Sequence, residues 1–178
     1  MTTIAIVKKN GYAAIAADTL TTFGSTRLAA QNDASHDKIL QCAGSFIGIC
    51  GSAAHHLVLE SILNKTPDLR LNSKSEIFET FSTLHPILKE KHFLNPTEED
   101  DDPYESNHIT ALIANPSGIY AIYSMREVFE YNRYWAIGSG NEFALGVICP
   151  FRPRPGPHRY TGPRRSACSG WRSGFGPA

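Results

Sequence analysis

The sequence predicts a layered α+β fold built on antiparallel sheets, and three observations carry that prediction. Apolar, partly β-branched runs bracket Asn10-Gly11, and a second pair of such runs brackets Gly44-Ser45. Both patterns signal hairpins closed by two-residue turns. Between these and a third strand pair near residues 108–124 lie two segments of helical periodicity. Hairpins on either side of a helical pair imply antiparallel sheets covered by helices.

At 178 residues the chain suits one domain with a real core. No apolar run reaches the length of a membrane span, and the N-terminus lacks the charged start and apolar stretch of a secretory signal. Cys42, Cys50, Cys149 and Cys168 form no C-x-x-C pair or metal-ligand spacing, so reduced thiols, a cytoplasmic location and no metal or cofactor are expected. The zero formal net charge hides an asymmetry. Residues 1–149 hold 11 Lys/Arg against 17 Asp/Glu, whereas residues 150–178 hold six Arg, six of the eleven Pro and no acid. That segment lacks the apolar content to fold. The expected division is therefore a domain over 1–149 and an Arg/Pro/Gly-rich tail over 150–178, disordered or translated out of frame. Six arginines could contact phosphates, but no aromatic platform or recognised module accompanies them and the body is acidic, which argues against nucleic acid.

The first hairpin organises the chain. A type I′ turn at Asn10-Gly11 pairs Lys9 with Tyr12, and the fixed register then sets Thr3 opposite Asp18. A carboxylate thus meets the start of the chain. If Met1 is removed, that start is Thr2 with a free amine. A hydroxyl alone is a poor nucleophile, but an adjacent α-amine with a pKa of about 7.7–8.0 can take its proton.

The polar stretch from Thr19 to Asp37 reads as loop. In the second hairpin, Gly44-Ser45 as a type II′ turn pairs Ala43 with Phe46 and Lys38 with Gly51. Ser52 then caps a helix over 53–63 whose shared face is Ala54, Leu57, Val58, Ser61 and Ile62. Ser73 and Glu76 stand at capping-box spacing before a second helix. It turns Ile77, Phe81, Leu84 and Leu88 inward and carries a kink at Pro86. The acidic run Glu98–Asp102 reads as a solvated loop, because the glycine and spacing of a calcium-binding loop are absent. Strands at 108–114 and 119–124 flank a turn at Asn115–Gly118. A further strand at 134–137 leads into Gly138-Ser139-Gly140 and a helix from Asn141, which Pro150 interrupts.

Taken in order, Thr2-Thr3-Ile4, the Asn-Gly hairpin, Ala17-Asp18, Thr22-Phe23-Gly24, Lys38-Ile39, Gly51-Ser52-Ala53-Ala54 and Ile137-Gly138-Ser139-Gly140 resemble proteasome β-type subunits. The likeness is strongest to bacterial members such as HslV and related bacterial proteasome homologues, and it covers about residues 2–147. It implies a four-layer α-β-β-α sandwich of antiparallel sheets with its C-terminal elements incomplete. It also implies an N-terminal-nucleophile hydrolase that cuts unfolded polypeptides as a threonine-type endopeptidase. Homo-oligomeric stacked rings and an ATPase unfoldase are the partners implied.

Carried over residue by residue, Thr2 is the nucleophile and its amine the base. Asp18 binds Lys38, whose charge favours a deprotonated amine. Gly51 offers its N–H to the oxyanion, and Ser139 orients the amine. Thr22, Gly51 and Ala53 lend main-chain groups to an extended peptide, while Ile49, Ala53 and Leu57 line a first specificity pocket that favours apolar residues. Two departures stand out. The interval between Asp18 and Lys38 is several residues longer than in the family. The aspartate and serine that brace the site from the family's C-terminal part also have no counterpart. The second departure leaves an inert ring subunit of the same fold as the alternative.

Overall fold

The structure is a computed structural model and describes residues 2–34, 37–66, 68–94, 108–124 and 127–149. The expectations for the acidic run 98–102 and for the tail 150–178 lie outside the described residues.

The first hairpin forms in the register its turn dictates. Strands β1 (Ile4–Lys9) and β2 (Tyr12–Ala17) pair from Lys9↔Tyr12 to Ile4↔Ala17. Asn10 and Gly11 take φ of 52° and 80°, as a type I′ turn requires. The stretch expected to be loop contains a small hairpin, β3 (Thr21–Phe23) with β4 (Thr26–Leu28), and a 3-10 turn at Ala30–Asn32. Three-residue strands are too short to leave an alternation in the sequence.

The second hairpin corrects its expected register. Strands β5 (Ile39–Cys42) and β6 (Ser45–Cys50) turn at Ala43-Gly44, where φ is 48° and 69°. Cys42 therefore faces Ser45, and the Ile49 N–H donates to the Lys38 carbonyl at 3.1 Å. Lys38 lies opposite Ile49, not Gly51. The two registers differ by two residues, which leaves every side chain on the same face, so hydrophobic alternation cannot separate them. Ser45, expected in the turn, is fully buried.

Helix α1 (Ala53–Leu63) starts at Ser52, whose Oγ accepts from the Ala54 N–H at 3.3 Å. Its inward stripe is Leu59, Ile62 and Leu63 with Val58 beside them. Leu57 is 67 % exposed and Ala54 is exposed, so the expected face is turned by about one residue. Helix α2 (Lys74–His92) runs through Pro86, with Ser73 Oγ accepting from the Glu76 N–H and Ile77, Phe81, Leu84 and Leu88 buried as expected.

Strands β7 (Thr110–Ala114) and β8 (Ile119–Tyr123) flank the Asn115–Gly118 turn, followed by β9 (Glu127–Tyr131), which the sequence reading missed. Only Val128 of β9 is buried, so as an edge strand it shows too little apolar patterning to be recognised. Strand β10 (Tyr134–Ile137) and helix α3 (Asn141–Ile148) complete the order.

Besides the β3-β4 ribbon, the described residues form two larger sheets, β10-β1-β2 and β5-β6-β7-β8-β9, antiparallel throughout. Alternate residues of the larger sheet enter two cores. Ile47, Ile49, Ala111, Ile113, Tyr120, Ile122 and Val128 pack under α1 and α2. Leu112, Ala114, Ile119 and Ala121 meet Ile4, Ile6 and Ile137 of the smaller sheet. α3 packs on β10 and β1. The layers run α-β-β-α, and burial on both faces explains the near-continuous apolar text of β7 and β8.

Gly48 marks how closely the sheets meet: a Cβ there would stand 2.7 Å from Ile4 Cγ2 and 3.1 Å from Ile15 Cδ1. Gly48→Ala should therefore destabilise the fold by about 1–3 kcal/mol through overpacking. Urea unfolding measures it, and a midpoint unchanged from wild type would contradict this account of the sheet spacing.

Candidate functional site

The ends of both hairpins converge where the chain begins. The pairing of β1 with β2 continues one step beyond the strands, since the Asp18 N–H donates to the Thr3 carbonyl at 3.0 Å. Asp18 Oδ1 accepts from the Thr3 N–H at 2.5 Å and Oδ2 from the Leu20 N–H at 3.0 Å. Lys38, in the lead-in to β5, donates from Nζ to Asp18 Oδ2 at 2.9 Å and to the Leu20 carbonyl at 2.7 Å. The carboxylate thus stands between the chain's start and the ammonium group. The longer interval between Asp18 and Lys38 is taken up by β3, β4 and the 3-10 turn without parting the pair.

Burial works to raise the Asp18 pKa. The hydrogen bonds from Lys38, Thr3 and Leu20, with the Lys38 charge, outweigh it and hold the carboxyl below its ordinary value.

Gly138-Ser139-Gly140, between β10 and α3, grips Thr2 from the other side. The Thr2 nitrogen donates to Ser139 Oγ at 3.2 Å, and the Gly140 N–H donates to the Thr2 carbonyl at 3.3 Å. A Cβ at Gly138 would fall 2.2 Å from the Thr2 carbonyl oxygen, and one at Gly140 would fall 2.1 Å from Thr3 Oγ1. Gly138 also has φ of +89°. Both glycines are required by close approach. The sequence reading singled out this triplet for Ser139 alone; the flanking glycines were the available signal for the backbone contact.

Thr2, Lys38 and Gly51 line one cavity of about 540 Å³. Thr22, Ile49, Ala53 and Leu57, the expected peptide-binding residues, line the same cavity. Asp18 and Ser139 are not among its lining residues; they accept hydrogen bonds from Lys38 and from the Thr2 nitrogen. The cavity also includes Leu20, Thr21, Phe23, Leu28, Asp33, Asp37, Ser52 and His56, which the sequence reading did not select. Most belong to the polar stretch read as loop, Thr19 to Asp37.

Behind Gly51, His55 Nδ1 is buried and has no hydrogen-bond partner among the described residues. Burial, reinforced by neighbouring His108, lowers its pKa and keeps the ring neutral. Among the described residues no group of three or more His, Cys, Asp or Glu is arranged to hold a metal ion, and no helix is long and apolar enough to cross a membrane. A hydroxyl-bearing residue held by its backbone, an ion pair beside it and an adjacent cleft are together an arrangement suited to acyl transfer.

Solved structures share this arrangement of elements. The chain is similar to BPH, a bacterial proteasome homologue of Thiobacillus denitrificans, at 37% identity and a TM-score of 0.79, covering 86% of this chain and 81% of that one. Against the same protein in complex with epoxomicin the TM-score is 0.77 at 37% identity, covering 85% and 81%. HslV from Trypanosoma brucei matches in fold at 17% identity and a TM-score of 0.57, covering 86% and 81%. Anbu (ancestral beta-subunit) from Yersinia bercovieri does so at 15% identity and 0.57, covering 87% and 67%. No protein-family model matches the chain, and no curated protein does.

A carboxyl whose pKa is depressed by folding contributes stability above its unfolded value, 3.8, and loses it as pH falls through the lower folded value. The stability difference between wild type and Asp18→Asn should thus be constant above pH 3.8 and shrink below it. Urea unfolding as a function of pH measures this. A difference that persists undiminished in acid would contradict the assigned hydrogen bonds.

Proposed function

The chain belongs to the proteasome-like family of N-terminal-nucleophile hydrolases that includes T. denitrificans BPH, and on that premise we propose that it is a threonine-type endopeptidase subunit. The observation that carries the reading is the convergence of Thr2, Lys38 and Gly51 on one cavity, with Asp18 and Ser139 bracing them. In the full chain the Thr2 nitrogen is the amide joined to Met1 and cannot act as a base. Removal of Met1 converts the same nitrogen, already beside Ser139 Oγ, into an amine.

The amine then takes the Thr2 hydroxyl proton, directly or through water, as Oγ attacks the peptide carbonyl carbon. The Lys38 ammonium lowers the cost of the developing alkoxide and favours the unprotonated amine. The Gly51 N–H faces the tetrahedral oxyanion, where one such donor contributes about 2.7–4 kcal/mol. Collapse expels the leaving amine with the proton from the terminal amine and leaves an ester on Oγ. Water, deprotonated by the same amine, hydrolyses that ester. Thr22 and Ala53 lend main-chain groups to the extended substrate, while Ile49, Ala53 and Leu57 contact its side chains. Unfolded polypeptide as substrate, homo-oligomeric stacked rings, delivery by an ATPase unfoldase and a cytoplasmic location complete the proposal. Support for them is family membership.

Epoxomicin, the ligand of the BPH complex, provides the direct test. Protein with Met1 removed should gain one adduct per chain at Thr2 by mass spectrometry, and Thr2→Ala should gain none. A folded, processed wild type without an adduct would reject the peptidase reading in favour of an inert subunit.

Peptide hydrolysis by the same preparation should rise with pH through the amine's pKa, about 7.7–8.0 before Lys38 lowers it. Lys38→Ala should cut kcat at least about 100-fold, as expected for loss of a partly buried charge acting on the transition state. An unchanged kcat in a folded Lys38→Ala protein would exclude the proposed role.

A further inference from the structure

The glycine that offers the oxyanion donor is not fixed by its own torsional preferences. Gly51 follows Cys50, the last paired residue of β6, and precedes Ser52, the cap of α1, with φ of 130°. Glycine is the residue at ease in that region. The same freedom leaves the direction of its N–H to be set by what packs around it.

Part of that packing comes from two histidines. A Cβ at Gly51 would lie 3.2 Å from His55 Nδ1 and 3.9 Å from Cε1 of the same ring. The imidazole therefore stands on the side where any other residue would carry its side chain. The His108 carbonyl oxygen, from the approach to β7, would lie 3.5 Å from the same point. His55 is itself anchored, because its N–H donates to the Ser52 carbonyl at 3.0 Å in the first turn of α1. Its Nδ1 is buried, and burial, reinforced by His108, keeps the ring uncharged at neutral pH. What the ring brings to Gly51 is volume rather than charge.

We propose, on the peptidase reading above, that His55 is a positioning residue for the oxyanion donor: its ring packs against Gly51 and holds the Gly51 N–H toward the tetrahedral intermediate. His55 is not among the residues that line the cavity, so it acts through Gly51 and not on the peptide. Truncating the ring leaves space beside a backbone with few torsional restraints. A donor that wanders from its place costs the transition state more than the bound substrate. Thr22, Ile49 and Ala53 still line the cavity, so the peptide should bind as before.

The test uses the Met1-processed full chain, one peptide substrate, and rates divided by the number of sites that epoxomicin labels at completion. Instability alone would lower the number of labelled sites and leave kcat per site unchanged. His55→Ala should lower kcat per site by about tenfold, less than the roughly 100-fold cost of a grossly misplaced group, with KM little changed. His55→Leu, whose Cδ atoms stand where the ring's Nδ1 and Cδ2 stood, should recover kcat to within about threefold of wild type. An unchanged kcat per site in His55→Ala, or a loss confined to KM, overturns the inference and leaves the peptidase reading intact. A His55→Leu protein as slow as His55→Ala does the same, because packing would then not be what the ring supplies. Wild type with neither turnover nor epoxomicin adduct overturns both.

Discussion

Three stretches of the chain meet at one carboxylate. Asp18 takes the N–H of Thr3 at the start of the chain, the N–H of Leu20 at the approach to β3, and the ammonium of Lys38 before β5. An ionised carboxylate has about four acceptor sites, and three here are filled by named donors. Partial burial makes leaving any of these groups unpaired expensive, so the set holds as a unit. Through it the first hairpin, which carries Thr2, is tied to the second, which carries Gly51. The two belong to different sheets, whose facing side chains form an apolar core.

The opposite side of Thr2 is governed by closeness of backbones. Gly138 and Gly140 let the β10–α3 loop run against Thr2 and Thr3 with no room for a Cβ. Ser139 then holds the Thr2 nitrogen while Gly140 holds its carbonyl. Gripping both ends of one residue fixes where its hydroxyl can go, and the restricted χ1 of threonine narrows it further. Gly48 plays a related part deeper in the core, where Ile4 of the smaller sheet presses on the larger one. Small residues thus set the separation of layers wherever the N-terminal strand passes.

The cavity is assembled from walls that no single element could supply. The β3–β4 hairpin brings Thr21, Thr22, Phe23 and Leu28; β6 brings Ile49; and the first turns of α1 bring Ala53, His56 and Leu57. Leu57 is exposed because the expected inward face of α1 is rotated away from the core. That rotation places it in the cavity's lining. A hydrophobic side chain withheld from the core thus becomes part of the cavity wall.

The sequence by itself determined much of this protein. Asn10-Gly11 permits one turn type, and the fixed pairing of a two-residue hairpin carried Asp18 to Thr3 without any knowledge of the fold. Ser52 and Ser73 announced helix starts through local hydrogen bonds, and the period of Ile77, Phe81, Leu84 and Leu88 gave the buried face of α2. These inferences succeeded because each rests on interactions within a few residues. Tertiary structure alone decided the rest. The register of β5 against β6 has two solutions that alternation treats alike, and the structure adopts the one with Ser45 inside. Strand β9 is held by β8 rather than by its own apolar pattern. Leu20, Thr21 and Leu28 join the cavity lining through contacts made across the fold, and such contacts leave no periodic trace in the chain.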